Sequence, residues 1–329
     1  AAQDGVDDRL DADDRADLDL ARATLAALRF ECAEVRPAAW DALHAVATVG
    51  SGLMPLISRT FGTRASRIAA LVSRLRGVPA FLDASCTALV GVPSLTVDAD
   101  DRAPRADGAA PRGHIELPAR PISRLHAEIA ITQASGIAEL AQMAVDEYGA
   151  DEARGDELRE AATAAGEAGA RFAARLRDEV LPRAAGEGRY GTELYERALR
   201  HALFGSHDRA AVGSAARREF DLVRDRMVEI ARAAAPHWIG AARAAEIDRE
   251  SQRLVAEVLD AIGREHSAAA DLLARAREET ARCQEFVRRT GLVELPSEPL
   301  EITWTPRFLR AYGGAFLDSP GPLDRGEKS

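Results

Sequence analysis

The chain has 329 residues, a net charge of −10 at pH 7 and a pI near 5.3. This acidic balance argues against nucleic acid as a partner, because phosphate binding needs a concentrated basic surface. No apolar run approaches the roughly 20 residues of a membrane helix, so we expect no membrane association. The three cysteines are far apart and fit neither a metal-ligand spacing nor a disulfide framework, which indicates buried thiols in a reducing cytoplasm.

The first part of the chain predicts short helices separated by breaks. Residues 1–14 are crowded with aspartate and predict a flexible, solvated start. They carry no secretory signal, and the missing initiator Met leaves upstream targeting open. The helices that follow are expected at Leu18–Val35, Pro37–Val49, Arg64–Leu75 and Val78–Asp83, with Gly50–Gly52 and Gly77 as the breaks.

A long irregular segment follows. Residues 98–120 contain three prolines and two glycines, mix both signs of charge and show no periodicity. We expect these residues to form a mobile loop.

The helices become longer from Pro121 onwards. Apolar residues recur at steps of three and four through most of the chain up to Gly291. The clearest set is Val212, Ala216, Phe220, Val223, Met227, Ile230 and Ala234. The pattern predicts an all-α fold, an array of about ten helices with a short strand near the C-terminus. We expect one helical domain over residues 15–290.

Residues 291–329 differ from the rest because they do not look helical throughout. Leu300–Trp304 lies between Pro299 and Pro306 and carries β-branched and aromatic residues, which predicts the short strand. A turn sequence follows at Ser319–Pro322.

The sequence contains one glycine motif and seven histidines that could indicate a cofactor or a metal. Gly186–Gly191 spells GxGxxG, but it follows a helix that ends at a proline, so a helix-to-helix turn is the better interpretation than a dinucleotide site. None of the seven histidines is followed by Glu, and no two are four residues apart, so the sequence contains no His-Glu-x-x-His zinc motif. We expect no cofactor or metal to bind within this chain.

The last segment resembles a known family. Leu-Pro-x-Glu-Pro-Leu-Glu-Ile-x-Trp-Thr-Pro-x-Phe-Leu-Arg begins at Leu295, and Pro-Gly-Pro-Leu-Asp-x-Gly-x-Lys-Ser ends at Ser329. Both patterns are similar to the bacterial domain-of-unknown-function family eight-eight-five. Weaker similarity covers residues 53–83 and 135–195.

The resemblance implies a helical zinc metallopeptidase-like hydrolase that acts on a peptide substrate. In such proteins this segment leads to a strand of the substrate cleft and then to a helix with His-Glu-x-x-His. We therefore expect zinc in a C-terminal half beyond residue 329, and this chain to be the scaffold and cleft half. Four residues are predicted to line the cleft: Trp304, Arg307, Tyr312 and Lys328. The alternative is a non-catalytic helical module that binds a peptide or partner protein.

Overall fold

A computed structural model describes residues 10–59, 61–98, 114–151, 153–203, 208–296, 300–305, 315 and 317–319. The chain forms two compact units. The first contains Ala1–Gly205 with Glu298–Ser329, and the second contains Ser206–Ser297. The boundary between them falls inside the 15–290 segment that the sequence analysis treats as one helical domain.

The first unit is built from helices and one small sheet, which confirms the all-α prediction. Its helices are α1 (Ala12–Phe30), α2 (Ala42–Ser58), α3 (Arg64–Ala88), α4 (Arg124–Gln133), α5 (Gly136–Tyr148), α6 (Gly155–Arg175) and α7 (Thr192–Ala202). Short π and 3-10 turns at Glu31–Val35, Pro37–Ala39, Leu176–Val180 and Leu181–Arg183 connect some of them. Asp11 caps α1, so the end of the acidic start already belongs to a helix.

The core of the first unit lies where α3, α5 and α6 meet. Leu71, Leu75 and Leu82 of α3 are buried together with Leu158 and the alanine-rich face of α6. Alanine side chains let the helix backbones approach closely, and each fully buried leucine contributes about 1.5–3 kcal/mol. This core fixes the positions of α2 and α3.

Two predicted helix breaks are wrong. Gly52 lies inside α2, and Gly77 lies inside α3, which continues to Ala88. The apolar stripe of α3 runs on from Leu75 to Val78 and Leu82, and all three are buried. Burial of that stripe outweighs the cost of about 1 kcal/mol for a glycine in a helix.

The sheet is not where the sequence predicted a strand. Strands β1 (Leu95–Asp98) and β2 (His114–Leu117) pair antiparallel, with Leu95 opposite Leu117. β1 ends at residue 98, where the predicted 98–120 loop begins, and β2 lies inside that loop. Residues 99–113 lie outside the described part of the chain. Residues 300–305 form no helix or strand. The β-branched and aromatic composition of that segment was a weak signal, because strand propensity depends on packing context.

The second unit contains α8 (Arg209–Trp238), α9 (Ala241–Ile247), α10 (Ser251–Gly263) and α11 (Leu272–Thr290). Its core is small and consists of Ala231, Ala235, Ile247, Leu254 and Val258. Only the last third of α8 contributes to that core. Among the described helices of both units, none has the length and hydropathy needed to cross a bilayer.

Candidate functional site

A groove runs between α2 and α3 in the first unit. Its main cavity has a volume of about 240 Å³ and is lined by Thr48, Val49, Gly52, Leu53, Arg74, Gly77, Val78 and Phe81. A smaller cavity of about 90 Å³ shares Thr48 and Phe81 with it and reaches the start of α2 at Asp41 and His44. We call the two cavities together the α2–α3 groove.

Two glycines open the groove. A Cβ atom built on Gly52 or on Gly77 would meet no heavy atom within 4 Å. The two residues lie on different helices and line the same cavity. Each helix therefore lacks a side chain at a position where one would fit. The glycines that predicted helix breaks instead create an accessible apolar space.

Polar groups stand at the two ends of the groove. At one end the exposed Arg74 donates an Nη1–H hydrogen bond to the carbonyl oxygen of Gly52. At the other end Asp41 caps α2, because its Oδ1 accepts the backbone N–H of Leu43 at 2.9 Å. The groove therefore has a guanidinium group at one end and a carboxylate at the other, so its two ends differ in charge.

Asp41 also approaches a histidine from another helix. Its Oδ1 lies 3.0 Å from Nδ1 of His126, which belongs to the first turn of α4. The ring nitrogen has no hydrogen bond of acceptable geometry in this arrangement, so the contact is a close approach of two polar side chains. The ring of Trp40 lies 5.6 Å from the His126 ring, centroid to centroid. The structure thus brings together Asp41, at the start of α2, and His126, at the start of α4.

The glycine-rich turn packs beside this pair. Gly186 donates its N–H to the carbonyl oxygen of Ile122 and accepts the N–H of Arg124, at 2.8 and 2.9 Å. Gly188 has a φ of +76°, and a Cβ there would lie 3.0 Å from Nε2 of His126. The turn joins the 3-10 turn at Leu181–Arg183 to α7, which agrees with the predicted helix-to-helix turn.

A buried ionic cluster lies elsewhere in the first unit. Glu34 accepts hydrogen bonds from Nε and Nη2 of Arg197 at 2.6 and 2.5 Å, and both side chains are buried. Arg120 donates to the carbonyl oxygens of Glu34 and Val35. The π turn Glu31–Val35 ends at Arg36, whose φ is +50°, so the helical hydrogen bonding stops there. The carbonyl groups of Glu34 and Val35 are therefore available to Arg120. Arg197 occupies both Glu34 oxygens, so this carboxylate is not free to act as a general base.

Burial changes the acidity of two groups near this cluster. It lowers the pKa of Arg120, and the neighbouring Arg36 cation acts in the same direction. Burial also raises the pKa of Tyr190, with the charges of Glu31 and Asp41 adding to the effect. The edge of the Tyr190 ring meets Trp40 at 6.0 Å between centroids. These shifts follow from packing, and we assign the cluster a structural role.

The predicted cleft residues are only partly described. Trp304 is 56% exposed, whereas Arg307, Tyr312 and Lys328 lie outside the described residues. In the same tail, Asp318 Oδ1 lies 2.7 Å from Nη2 of Arg59, the residue that follows α2. The cleft-lining role of the four residues remains a prediction.

Metal binding can be tested on the described residues. Among them, no three His, Cys, Asp or Glu side chains converge as ligands for an ion. Asp41 and His126 provide only two such groups. The described part of this chain therefore does not present a ligand set that fits zinc.

The sequence analysis missed the groove, although a signal was present. Val49, Leu53 and Leu56 continue one apolar stripe past Gly52, and Val78 and Leu82 continue another past Gly77. Apolar periodicity that persists on both sides of a glycine favours a continuous helix. The pairing of Asp41 with His126 had no comparable local signal.

The fold and the groove define a helical protein with an apolar interhelical cavity. A family model described as bacterial protein of unknown function (DUF885) matches residues 1–329. The chain belongs to this family. No curated protein and no solved structure matches it.

Proposed function

We propose that this chain is the helical scaffold and substrate-cleft half of a zinc-dependent, metallopeptidase-like hydrolase. The family match over residues 1–329 and the resemblance of the C-terminal segment support this proposal. The observation that carries it is the α2–α3 groove, an apolar site of the size and lining that a peptide side chain requires.

The groove suits one side chain better than a whole small molecule. Cavities that enclose drug-sized ligands measure roughly 300–1,000 Å³, whereas the main cavity here measures about 240 Å³. Val49, Leu53 and Val78 supply apolar walls. A peptide that places an apolar side chain there would leave its backbone near the mouth, where Arg74 offers donors to a carbonyl or a carboxylate.

The chemistry that zinc supplies when bound is Lewis-acid polarisation of the carbonyl and activation of water. Residues 1–329 contain no His-Glu-x-x-His, so in this proposal the zinc ligands belong to other residues of the protein. The role left to this chain is to bind and orient the peptide. Correct orientation of the scissile bond is itself a large part of the rate enhancement in enzymes.

The second candidate function is a non-catalytic helical module that binds a peptide or partner protein. The same groove favours this function, because an apolar side chain can bind beside Gly52 and Gly77 without a metal. The two functions differ in whether a metal centre accompanies the groove.

Zinc content and peptidase activity separate the two candidates. The experiment compares the 329-residue chain with a version extended by the native downstream residues. The hydrolase proposal expects about one zinc per chain and peptide hydrolysis only in the extended version. Stoichiometric zinc in the 329-residue chain contradicts it, and an extended version without zinc favours the binding module.

Peptide binding to the groove is tested by filling it. Fluorescent peptides with one Leu or Phe are titrated against wild type and against Gly77→Phe, which places a ring in the cavity. We expect at least a tenfold loss of affinity in that variant. Gly263→Phe is the matched control, because Gly263 lies at a helix end in the second unit and its Cβ position is also open. Equal affinity in all three proteins excludes the groove as the peptide site.

A further inference from the structure

Helix α8 carries an apolar stripe that the described residues leave uncovered. Phe220, Val223, Met227 and Ile230 are 66%, 51%, 40% and 54% exposed. The helix contributes to the core of its own unit near its end, through Ala231 and Ala235. Removing large apolar side chains from water is favourable, so a stripe of four such residues favours association.

The spacing of the stripe is that of a coiled-coil seam. The four residues are separated by steps of three, four and three, with Ala216 four residues before the first. In heptad notation Phe220 and Met227 take position a, and Val223 and Ile230 take position d. We call these four residues the α8 seam. A second helix with the same pattern can cover a seam of this spacing.

Charges beside the seam select the partner and its direction. Glu219 takes position g and Arg224 takes position e. In a parallel, in-register pair, each g residue faces the e residue five positions later on the other helix. Glu219 therefore faces Arg224 of the second copy, and symmetry repeats the attraction. The other flanking arginines, Arg217 and Arg226, face Val212 and Ala231 and meet no like charge.

An antiparallel pair is less favourable. Placing Phe220 opposite Ile230 centres the pair on residue 225. That arrangement brings Arg224 near its own copy, and it does the same for Arg226. Like charges at these flanking positions oppose association.

Arg224 is already at the edge of the seam. Its guanidinium carbon lies 5.9 Å from the centroid of the Phe220 ring, and the side chain is 52% exposed. Its contact with Asp221 at 3.5 Å is an exposed pair of low strength. Arg224 can therefore reach across to a second helix without losing a buried partner.

We propose that the α8 seam joins two copies of this chain in a parallel, in-register coiled coil. A second copy is the partner because two-fold symmetry places Glu219 of each copy opposite Arg224 of the other. The interface is isologous, because each seam residue meets its own counterpart. This inference is independent of the proposed function, since the α2–α3 groove belongs to the other unit.

Molecular mass in solution tests the proposal directly. Light scattering and sedimentation of the whole chain between about 1 and 100 µM should show a mass rising towards twice 35.2 kDa. The double change Val223→Glu and Met227→Glu should leave a monomer with unchanged helical circular dichroism. Leu222→Glu is the control, because Leu222 is 67% exposed but lies off the seam. A monomeric wild type, or equal dissociation by the control, overturns the proposal.

A charge exchange tests direction and register. Glu219→Arg and Arg224→Glu should each weaken self-association by about three- to tenfold. The chain carrying both changes should recover wild-type affinity, because the attraction is restored with its sign reversed. A double variant as weak as either single one contradicts the parallel register. High salt should reduce the difference between the singles and wild type.

Discussion

Arg197 of α7 binds both carboxylate oxygens of Glu34, a residue 163 positions earlier, at 2.6 and 2.5 Å. Both side chains are buried, at 3% and 6% exposure. The pair links α7 to the turn that follows α1. Because two charges have been removed from water, the pair tolerates loss of one partner poorly.

Arg197→Met should therefore lower the free energy of unfolding by about 3–5 kcal/mol, since it leaves Glu34 charged and buried. The double variant Glu34→Leu and Arg197→Met should recover much of that loss, because no charge remains unpaired. Urea denaturation of the three proteins measures the difference. If Arg197→Met costs under about 1 kcal/mol, the pair is not buried as described.

Gly77 and Gly169 form a matched test of the groove. Both lie inside helices, so alanine should add about 0.8–1 kcal/mol of helix stability at either site. The Cβ position at Gly77 is open, whereas at Gly169 it falls 2.9 Å from the carbonyl oxygen of Ala134. Gly77→Ala should raise the urea midpoint, and Gly169→Ala should lower it by an amount equivalent to about 1–3 kcal/mol. Destabilisation by Gly77→Ala would show that the groove is closed.

Tyr190 should make the protein sensitive to alkaline pH. Its pKa is raised in the folded chain, so the unfolded chain ionises first as the pH rises above about 10. Its contribution to stability is thus complete below pH 10 and is lost as the pH rises through the folded value. Urea midpoints from pH 9 to 11 should fall less steeply in Tyr190→Phe than in wild type. Tyr195→Phe is the control, because Tyr195 is 44% exposed and should keep the wild-type slope.

Glu257 should resist protonation in the second unit. Hydrogen bonds from Arg243, and then from Arg253, lower the pKa of its carboxyl to about 2. The stabilising effect is complete above about pH 4.5 and is lost as the pH falls towards 2. A carbon-13 NMR titration of the Glu257 carboxyl measures this value, and Arg243→Met should raise it. A wild-type midpoint near 4.5 would contradict the arrangement.

The fold class could be predicted from sequence because the apolar period of 3.6 persists over most of the chain. The count of about ten helices follows from this period alone. The predicted lengthening after Pro121 is wrong, because Arg64–Ala88 already has 25 residues and Arg124–Gln133 has only 10. The two helix breaks were wrong because glycine was judged by its local preference. The burial of Leu75, Val78 and Leu82 against neighbouring helices decides that α3 continues through Gly77.

The site was less predictable. The α2–α3 groove forms because Gly52 and Gly77, from different helices, line one cavity. No local sequence pattern predicts that these two residues lie close together. The Asp41–His126 approach and the Glu34–Arg197 pair join residues far apart in the chain, so spacing carried no signal for them. The predicted cleft residue Trp304 is exposed, but no described contact assigns it a role.

The sequence by itself determined a helical, acidic protein of this family. Periodicity and composition are properties of the sequence, so they can be recognised without the tertiary structure. It also determined the α8 seam, whose residues are consecutive turns of one helix. Only the tertiary structure decided that Gly52 and Gly77 open a groove and that the described residues leave the α8 seam uncovered. Cavities and exposed faces are relations between elements, and packing alone sets those relations.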